Sequence, residues 1–201
     1  MSRRVLLDCD GVLLNYTVGI RPFSKRLYGL DLDPEGPCDF DMRQWTGLSR
    51  EEIITLVNRF NGGEDTGFDA LPPMPGAIEG VQRLLDAGYL LHVISSADAG
   101  PSSVRSRHKN LNGVFGDVFE EVTLIGLGAS KKELLARFDP CDWVDDHLPN
   151  AIAGLEAGHR THVIRQSHNR SQEGEAPSGL LWARDLLEVH DRIRPAASPE
   201  P

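Results

Sequence analysis

The chain has 201 residues, of which 40% are hydrophobic and 25% are charged, and its formal net charge at pH 7 is −9. This length predicts one compact domain with its own core, and the composition excludes disordered and fibrous architectures. The negative charge disfavours binding to a nucleic-acid polymer or an anionic membrane, while a small anion can still bind in a local positive site.

The cysteines and the N-terminus give an expectation about the cellular compartment. Cys9, Cys38 and Cys141 are widely spaced and form no Cys-x-x-Cys pair, which favours a reducing compartment without disulfides or structural zinc. The apolar run near the N-terminus is interrupted by Asp8 and Asp10, too early for a signal-peptide core or a membrane-spanning helix. We therefore expect a cytoplasmic protein that does not bind membranes.

Short apolar runs that end in polar residues predict the strands of a parallel sheet buried on both faces. The expected strands cover residues 5–7, 90–94, 122–125, 143–144 and 161–164. Helical patterns lie between them, at residues 76–88, 131–138 and 149–157, and Trp182, Leu186, Val189 and Ile193 mark a last helix. This alternation predicts an α/β fold, a doubly wound parallel sheet with helices on both faces.

A long insertion follows the first strand. Residues 15–74 far exceed an ordinary crossover and include a capping-box pattern at Ser49–Glu52 before an amphipathic stretch. We therefore predict a small helical cap at residues 15–74 and a catalytic core at residues 1–14 and 75–194. The tail, residues 195–201, is expected to be frayed.

Two carboxylates, Asp8 and Asp10, come directly after the first strand, at the sheet edge where doubly wound folds place their sites. An Asp-x-Asp pair alone is equally compatible with a solvated turn. Complementary groups follow other strands or begin a helix: Ser95 and Ser96, Lys131 and Lys132, and Asp145 and Asp146. Together these groups predict a phosphoryl-transfer site.

In this order, the motifs resemble those of the haloacid dehalogenase (HAD) superfamily over about residues 4–165. Within it, the sequence most resembles the 5′(3′)-deoxyribonucleotidases, through residues 10–13, 47–49 and 73–77. The resemblance implies a HAD-like Rossmannoid core with an inserted cap. It also implies a Mg²⁺-dependent phosphomonoester hydrolase that forms an aspartyl-phosphate.

The resemblance assigns a role to each carboxylate. Asp8 is the expected nucleophile, and Asp10 is the expected general acid and later the general base. Mg²⁺ is expected to be bound by the Asp8 carboxylate, the Asp10 backbone carbonyl and the Asp145 carboxylate. Asp146 is expected at the same metal site, more through orienting hydrogen bonds than as a direct ligand.

The polar groups at the other strand ends complete the expected site. Ser95 is expected to donate a hydrogen bond to a phosphoryl oxygen, with Ser96 as a further substrate contact, and a lysine would compensate the negative charge. Residues 130–133 form a second capping-box pattern, which favours Lys131, at the first helical position, over Lys132. The other lysine is then an ordinary exposed one.

Candidates for substrate specificity lie in the cap. Trp45 and Phe68, and as a third candidate Phe40, are expected either to contact a nucleobase or to belong to the cap core. Residues 61–64 lack the aromatic run of the nucleotidases, so sugar phosphates and other small phosphomonoesters stay open as substrates. His159 and His162 straddle a turn into a strand, so surface positions are expected for them rather than a zinc site.

The favoured function is the hydrolysis of a small phosphorylated substrate, a (deoxy)ribonucleoside 5′-monophosphate, with Mg²⁺ as cofactor. The alternatives are a HAD phosphatase for another small phosphomonoester, a phosphotransferase, and a catalytically silent HAD-like binding protein. A small cap can leave part of a site open, and a homodimer would complete it.

Overall fold

The computed structural model describes residues 3–97 and 100–193. Its strands form one parallel sheet in the order β3-β2-β1-β4-β5-β6. The strands are β1 (Arg4–Leu7), β2 (Leu90–Ser96), β3 (Glu121–Ile125), β4 (Asp142–Asp145), β5 (Arg160–Ile164) and β6 (Leu181–Ala183). The helices are α1 (Tyr16–Tyr28), α2 (Arg43–Thr46), α3 (Arg50–Gly62), α4 (Ala77–Asp86), α5 (Pro101–Phe115), α6 (Lys132–Leu135), α7 (Leu148–Glu156) and α8 (Leu186–Arg192). Two 3₁₀ helices cover Phe68–Ala70 and Arg170–Glu175.

The central strands explain why the acidic motifs meet. β1 pairs with β4 so that Leu7 lies opposite Val144, and the amide of Asp8 donates to the carbonyl of Val144 over 2.8 Å. Since both strands run in the same direction, Asp8 and Asp145 leave the sheet at the same edge. The doubly wound parallel α/β fold is confirmed.

Alternating side chains of the central strands build a core on each face of the sheet. Val5 and Leu7 belong to one apolar cluster, whereas Leu6 packs with Ile94 and Trp143 in another. Each fully buried side chain of this kind stabilises the fold by about 1.5–3 kcal/mol. The buried β1 is therefore a rigid base for the loop that follows it.

The residues between β1 and α4 contain helices α1 to α3. At α3, Ser49 Oγ accepts from the Glu52 amide and the Glu52 carboxylate accepts from the Ser49 amide, so this capping box is confirmed. The segments at the two ends of this insertion are hydrogen-bonded to each other: the amide of Met74 donates to the carbonyl of Leu13 over 2.9 Å. These contacts hold the inserted segment against the end of β1.

Several elements differ from the sequence-based expectations. Trp182 was expected in the last helix, but it lies in the short strand β6, and α8 begins at Leu186. α5 was not predicted. The expected frayed tail from Pro195 lies outside the described residues. In the described ranges, no helix is long and apolar enough to cross a membrane.

His159 and His162 are buried, so the expectation of surface positions was wrong. His159 bonds backbone groups, with Nδ1 3.2 Å from the Cys141 amide and Nε2 3.0 Å from the Leu135 carbonyl. His162 Nε2 lies 2.8 Å from the buried carboxylate of Asp142. Both imidazole rings can be buried because they have polar partners inside the fold. Apolar periodicity in the sequence does not reveal such partners.

Candidate active site

Three carboxylates meet at the carboxyl ends of β1 and β4. Asp8, Asp145 and Asp146 are all buried, and one oxygen of each lies within 4.8 Å of the others. Backbone amides fix two of them: Cys9 donates to Asp8 Oδ1 over 2.6 Å, and His147 donates to Asp145 Oδ1 over 2.7 Å. This arrangement presents hard oxygen donors to a single point, as a small divalent cation requires.

Lys131 ties two of these carboxylates together. Its Nζ lies 2.8 Å from Asp8 Oδ1 and 2.9 Å from Asp145 Oδ2, and its side chain is completely buried. The ammonium also lies 5.0 Å from the centre of the Trp143 ring. Burial lowers the pKa of Lys131, but Asp145 and Asp8 outweigh it and keep the pKa above its ordinary value, so the ammonium stays charged.

Lys132 has a different environment. Its side chain is 62% exposed and its Nζ lies 2.8 Å from Glu156 Oε2. The capping box expected at residues 130–133 is not formed: α6 begins at Lys132, Lys131 is the N-cap, and Ser130 Oγ accepts from the Lys132 amide over 3.2 Å. Lys131 nevertheless points into the cluster, because the loop after β3 delivers it to the sheet edge.

The site carries an excess of negative charge. Four carboxylates, those of the cluster and of Asp10, face the two cations Lys131 and Arg107. Burial raises the pKa of Asp8 to about 6 against the opposing pull of Lys131. Burial, followed by repulsion from Asp145 and Asp8, raises the pKa of Asp146 well above its ordinary value. A divalent cation between the carboxylates would neutralise this excess, so the donor set fits Mg²⁺.

Gly11 makes room for Asp146. Its φ is +79°, and an added Cβ would lie 1.8 Å from Asp146 Oδ2. Its carbonyl accepts from Gln166 Nε2 over 2.7 Å, while Asn169 Nδ2 donates to the backbone carbonyl of Asp146, also over 2.7 Å. The loop after β5 thus braces the loops after β1 and β4, an arrangement that the sequence did not reveal.

Asp10 has a buried partner that sequence reasoning missed. Arg107 Nη2 lies 2.6 Å from Asp10 Oδ2, and the arginine side chain is fully buried while that of Asp10 is 24% exposed. Burial raises the pKa of Asp10 despite the attraction of Arg107. The available signal was weak, since Arg107 lies on a helix without an apolar stripe.

The serines after β2 take two positions. Ser95 is completely buried, and its Oγ has no hydrogen-bond partner among the described residues. Ser96 lines a cleft that opens beside Asp8 and Asp10. A buried hydroxyl without a partner is uncommon in folded proteins and is typical of a group that meets a ligand or water.

A cleft of about 820 Å³ opens over the carboxylates. The end of β2 and the loops after β1, β3, β4 and β5 form one wall, and α1, α3 and the loop before α2 form the other. Phe40 lines the cleft and stacks on His147, with ring centres 3.7 Å apart and an angle of 22° between the planes. Ile54 and Leu127 add exposed apolar surface.

Trp45 and Phe68 lie elsewhere. The indole of Trp45 donates to the carbonyl of Asp33 over 3.0 Å, and the ring packs against the larger apolar cluster. Phe68 is 1% exposed and packs under the guanidinium of Arg107. Neither ring lines the cleft, because both are used in packing, so Phe40 is the predicted cap aromatic that reaches it.

No family model matches the sequence, and no curated protein is significantly similar to it. Solved structures do share its architecture. A haloacid dehalogenase-like hydrolase from Streptococcus pneumoniae has a TM-score of 0.69 at 14% identity, covering 96% of this chain and 100% of that chain.

Two further structures have different chemistries. A D,D-heptose 1,7-bisphosphate phosphatase from B. bronchiseptica, complexed with magnesium and phosphate, has a TM-score of 0.58 at 14% identity, covering 94% of this chain and 97% of that chain. An L-2-haloacid dehalogenase has a TM-score of 0.60 at 17% identity, covering 96% of this chain and 100% of that chain. The same architecture therefore occurs with different reactions. The parallel sheet of this chain, with helices on both faces, has the fold of the HAD-like hydrolases.

Proposed function

We propose that the chain hydrolyses phosphate monoesters with Mg²⁺, through a covalent phosphoryl intermediate on Asp8. The observation that carries the proposal is the buried Asp8 carboxylate, which is bonded to Lys131, lies in a three-carboxylate cluster and borders the cleft beside Asp10. The similarity in fold to a phosphatase complexed with magnesium and phosphate supports it.

The residues that would hold Mg²⁺ are the Asp8 and Asp145 carboxylates and the Asp10 backbone carbonyl, with Asp146 beside them. When bound, the cation supplies the positive charge that lets a phosphate ester approach the carboxylates. Lys131 balances charge on Asp8 and Asp145, and the Ser95 hydroxyl, which has no partner among the described residues, would donate to a phosphoryl oxygen.

The reaction proceeds in two displacements. First, a carboxylate oxygen of Asp8 forms a bond to phosphorus as the ester P–O bond breaks, and Asp10 gives its proton to the leaving oxygen. Second, a water molecule gives a proton to Asp10 and attacks phosphorus, so that the bond to Asp8 breaks and inorganic phosphate leaves. Asp10 ends the cycle protonated, and Asp8 ends it as a carboxylate, as both began.

For the substrate we propose a nucleoside 5′-monophosphate. The cleft volume of about 820 Å³ lies within the range of small-molecule sites. The stacked Phe40–His147 pair supports a planar ring, and the apolar surfaces of Ile54 and Leu127 suit a base better than a polyhydroxylated sugar. The net charge of −9 disfavours a nucleic-acid polymer.

The test is phosphate release with Mg²⁺ over a panel of nucleoside monophosphates, sugar phosphates and an aryl phosphate. Asp8→Asn keeps the volume of the side chain but removes the nucleophile, so it provides the matched blank. Preference for nucleotides that is lost in Phe40→Ala but kept in Trp45→Ala supports the proposed substrate. Preference for sugar phosphates would contradict the substrate alone, and phosphate release that survives in Asp8→Asn would contradict the mechanism.

A further inference from the structure

Arg107 is a charged residue in a place where charge is costly. It lies on α5 with its side chain completely buried, and within the described ranges the single carboxylate at ion-pair distance belongs to Asp10, 97 positions away in sequence. Its Nε and Nη1 atoms have no hydrogen-bond partner in the ranges that the structure describes. Because burying a guanidinium with unmet donors destabilises a fold, this arrangement needs a compensating reason.

An aromatic ring fixes the guanidinium from below. The centre of the Phe68 ring lies 4.3 Å from Arg107 Cζ. Phe68 is itself held by edge contacts with Phe60 and Tyr16, at centroid distances of 5.7 and 6.4 Å. The guanidinium is thus stacked on a rigid platform with one nitrogen directed at Asp10, which leaves the arginine little rotational freedom.

The Asp10 carboxylate has no other anchor among the described residues. Its Oδ2 bonds Arg107, whereas its Oδ1 is buried without a partner. Arg107 does not line the cleft, although Asp10 does. The arginine therefore reaches the reaction through Asp10, and not through a contact with a substrate in the cleft.

We propose that Arg107 is a positioning residue that holds the Asp10 carboxylate in the orientation needed for proton transfer, and that Phe68 is the platform that holds Arg107. This inference rests on the proposed function. It also gives Phe68 a role at the site without any contact with substrate.

The chemistry of the leaving group separates this role from a structural one. An alkoxide needs a proton as the P–O bond breaks, whereas a nitrophenolate leaves readily as an anion. The parameter kcat/KM reports the first displacement and is insensitive to the later hydrolysis of the intermediate. A misplaced Asp10 must therefore lower kcat/KM for an alkyl phosphate and spare kcat/KM for p-nitrophenyl phosphate.

The experiment compares Arg107→Lys with wild type on the best alkyl monoester of the panel and on p-nitrophenyl phosphate. We expect kcat/KM to fall about 10- to 100-fold for the alkyl ester and less than about threefold for the aryl ester. A misplaced acid should thus lose part of the roughly 10²- to 10⁴-fold that general acid catalysis contributes. Asp10→Asn should show the same selectivity. Arg105→Lys, the same substitution at an exposed position of α5, is the matched control and should change neither value.

Phe68→Leu provides a second route if Arg107→Lys does not fold, as judged by circular dichroism and thermal unfolding. It keeps an apolar side chain but removes the ring face, and the same selective loss is expected at smaller size. Equal losses on the two esters in a folded variant would overturn the inference and leave the proposed function standing. If the wild-type protein hydrolyses neither ester, the proposed function fails and the inference falls with it.

Discussion

Lys131 and Asp145 form an ion pair in which both side chains are completely inaccessible to solvent, with Nζ 2.9 Å from Oδ2. The adjacent Lys132, one residue along the same helix start, forms a solvent-exposed pair with Glu156 over 2.8 Å. The two lysines thus share a chemical type and a helix terminus but differ in burial. That difference makes them a natural matched pair for mutation.

Lys131→Met should abolish most activity, because it removes the cation that balances Asp8 and Asp145. We expect a loss of about 10²-fold or more in kcat, the scale of a lost electrostatic contact in a preorganised site. Lys132→Met should keep wild-type kcat and leave the free energy of unfolding close to the wild-type value, because it removes only an exposed ion pair. Steady-state kinetics and urea unfolding measure both, and equal activity losses in the two variants would refute the assignment.

Asp146→Asn should stabilise the metal-free protein and reduce the stabilisation that Mg²⁺ adds. Without a cation, it relieves buried repulsion with Asp145 and Asp8, so the melting temperature should rise by a few degrees. With Mg²⁺, the wild type gains stability by mass action, and the variant should gain less because a carboxylate is missing. Thermal unfolding with EDTA and with Mg²⁺ tests both effects, and Asp139→Asn, at an exposed position, is the control.

Much of the candidate site was predictable, because parallel strands bring their carboxyl ends to one edge. Asp8, Asp145 and Ser95 follow apolar runs, and each lies where a buried strand of the sheet ends. The lysine was found by its helix start, although the capping box that favoured Lys131 is not formed. The prediction depended on the order of strands and helices along the chain, and not on the local geometry assumed for each residue.

The sequence did not predict α5, which carries Arg107, the partner of Asp10. Its buried face consists of Ser103, Arg107, Asn110 and Leu111. This spacing is helical, but three of the four residues are polar, so no apolar periodicity announces the helix. The pairing of Arg107 with Asp10 depends on tertiary contacts that only the folded chain supplies. The short β6 was missed because three residues carry too little pattern to distinguish a strand from a helix.

Gly11→Ala should displace a carboxylate of the candidate active site. This effect adds to the loss of stability expected for an alanine in a left-handed backbone conformation. An added Cβ would lie 1.8 Å from Asp146 Oδ2, so that carboxylate must move. Gly29→Ala is the matched control, because its φ is +70° and no atom of the residues that the structure describes lies within 4 Å of an added Cβ.

For Gly29→Ala we expect a loss of about 1 kcal/mol in the free energy of unfolding and unchanged kcat. Gly11→Ala should lose more stability, weaken Mg²⁺ activation and lower kcat. Chemical unfolding and a Mg²⁺ titration of activity compare the two variants. Identical Mg²⁺ titrations would show that Asp146 does not depend on the space beside Gly11.

Asp142 begins β4, at the amino-terminal ends of the strands and away from the carboxylate cluster. Its carboxylate is buried and accepts from Arg160 Nε and Nη2 over 2.5 and 2.9 Å, while His162 Nε2 lies 2.8 Å away. Burial raises the pKa of Asp142, but the bonds from His162 and Arg160 outweigh it and hold the pKa below its ordinary value of 3.8.

A carboxyl whose pKa is lowered by folding stabilises the native state above its ordinary pKa, and that contribution is lost as the pH falls through the folded value. Asp142→Asn should therefore reduce the free energy of unfolding by about 3 kcal/mol near neutral pH, because the Arg160 guanidinium loses its counter-charge and His162 loses its carboxylate partner. The gap between variant and wild type should narrow as the pH falls below 3.8. Urea unfolding from about pH 7 to about pH 3 measures this gap, with Asp139→Asn as the exposed control from the preceding turn. A gap that stays constant over this range would show that the ionised form of Asp142 is not what stabilises the fold.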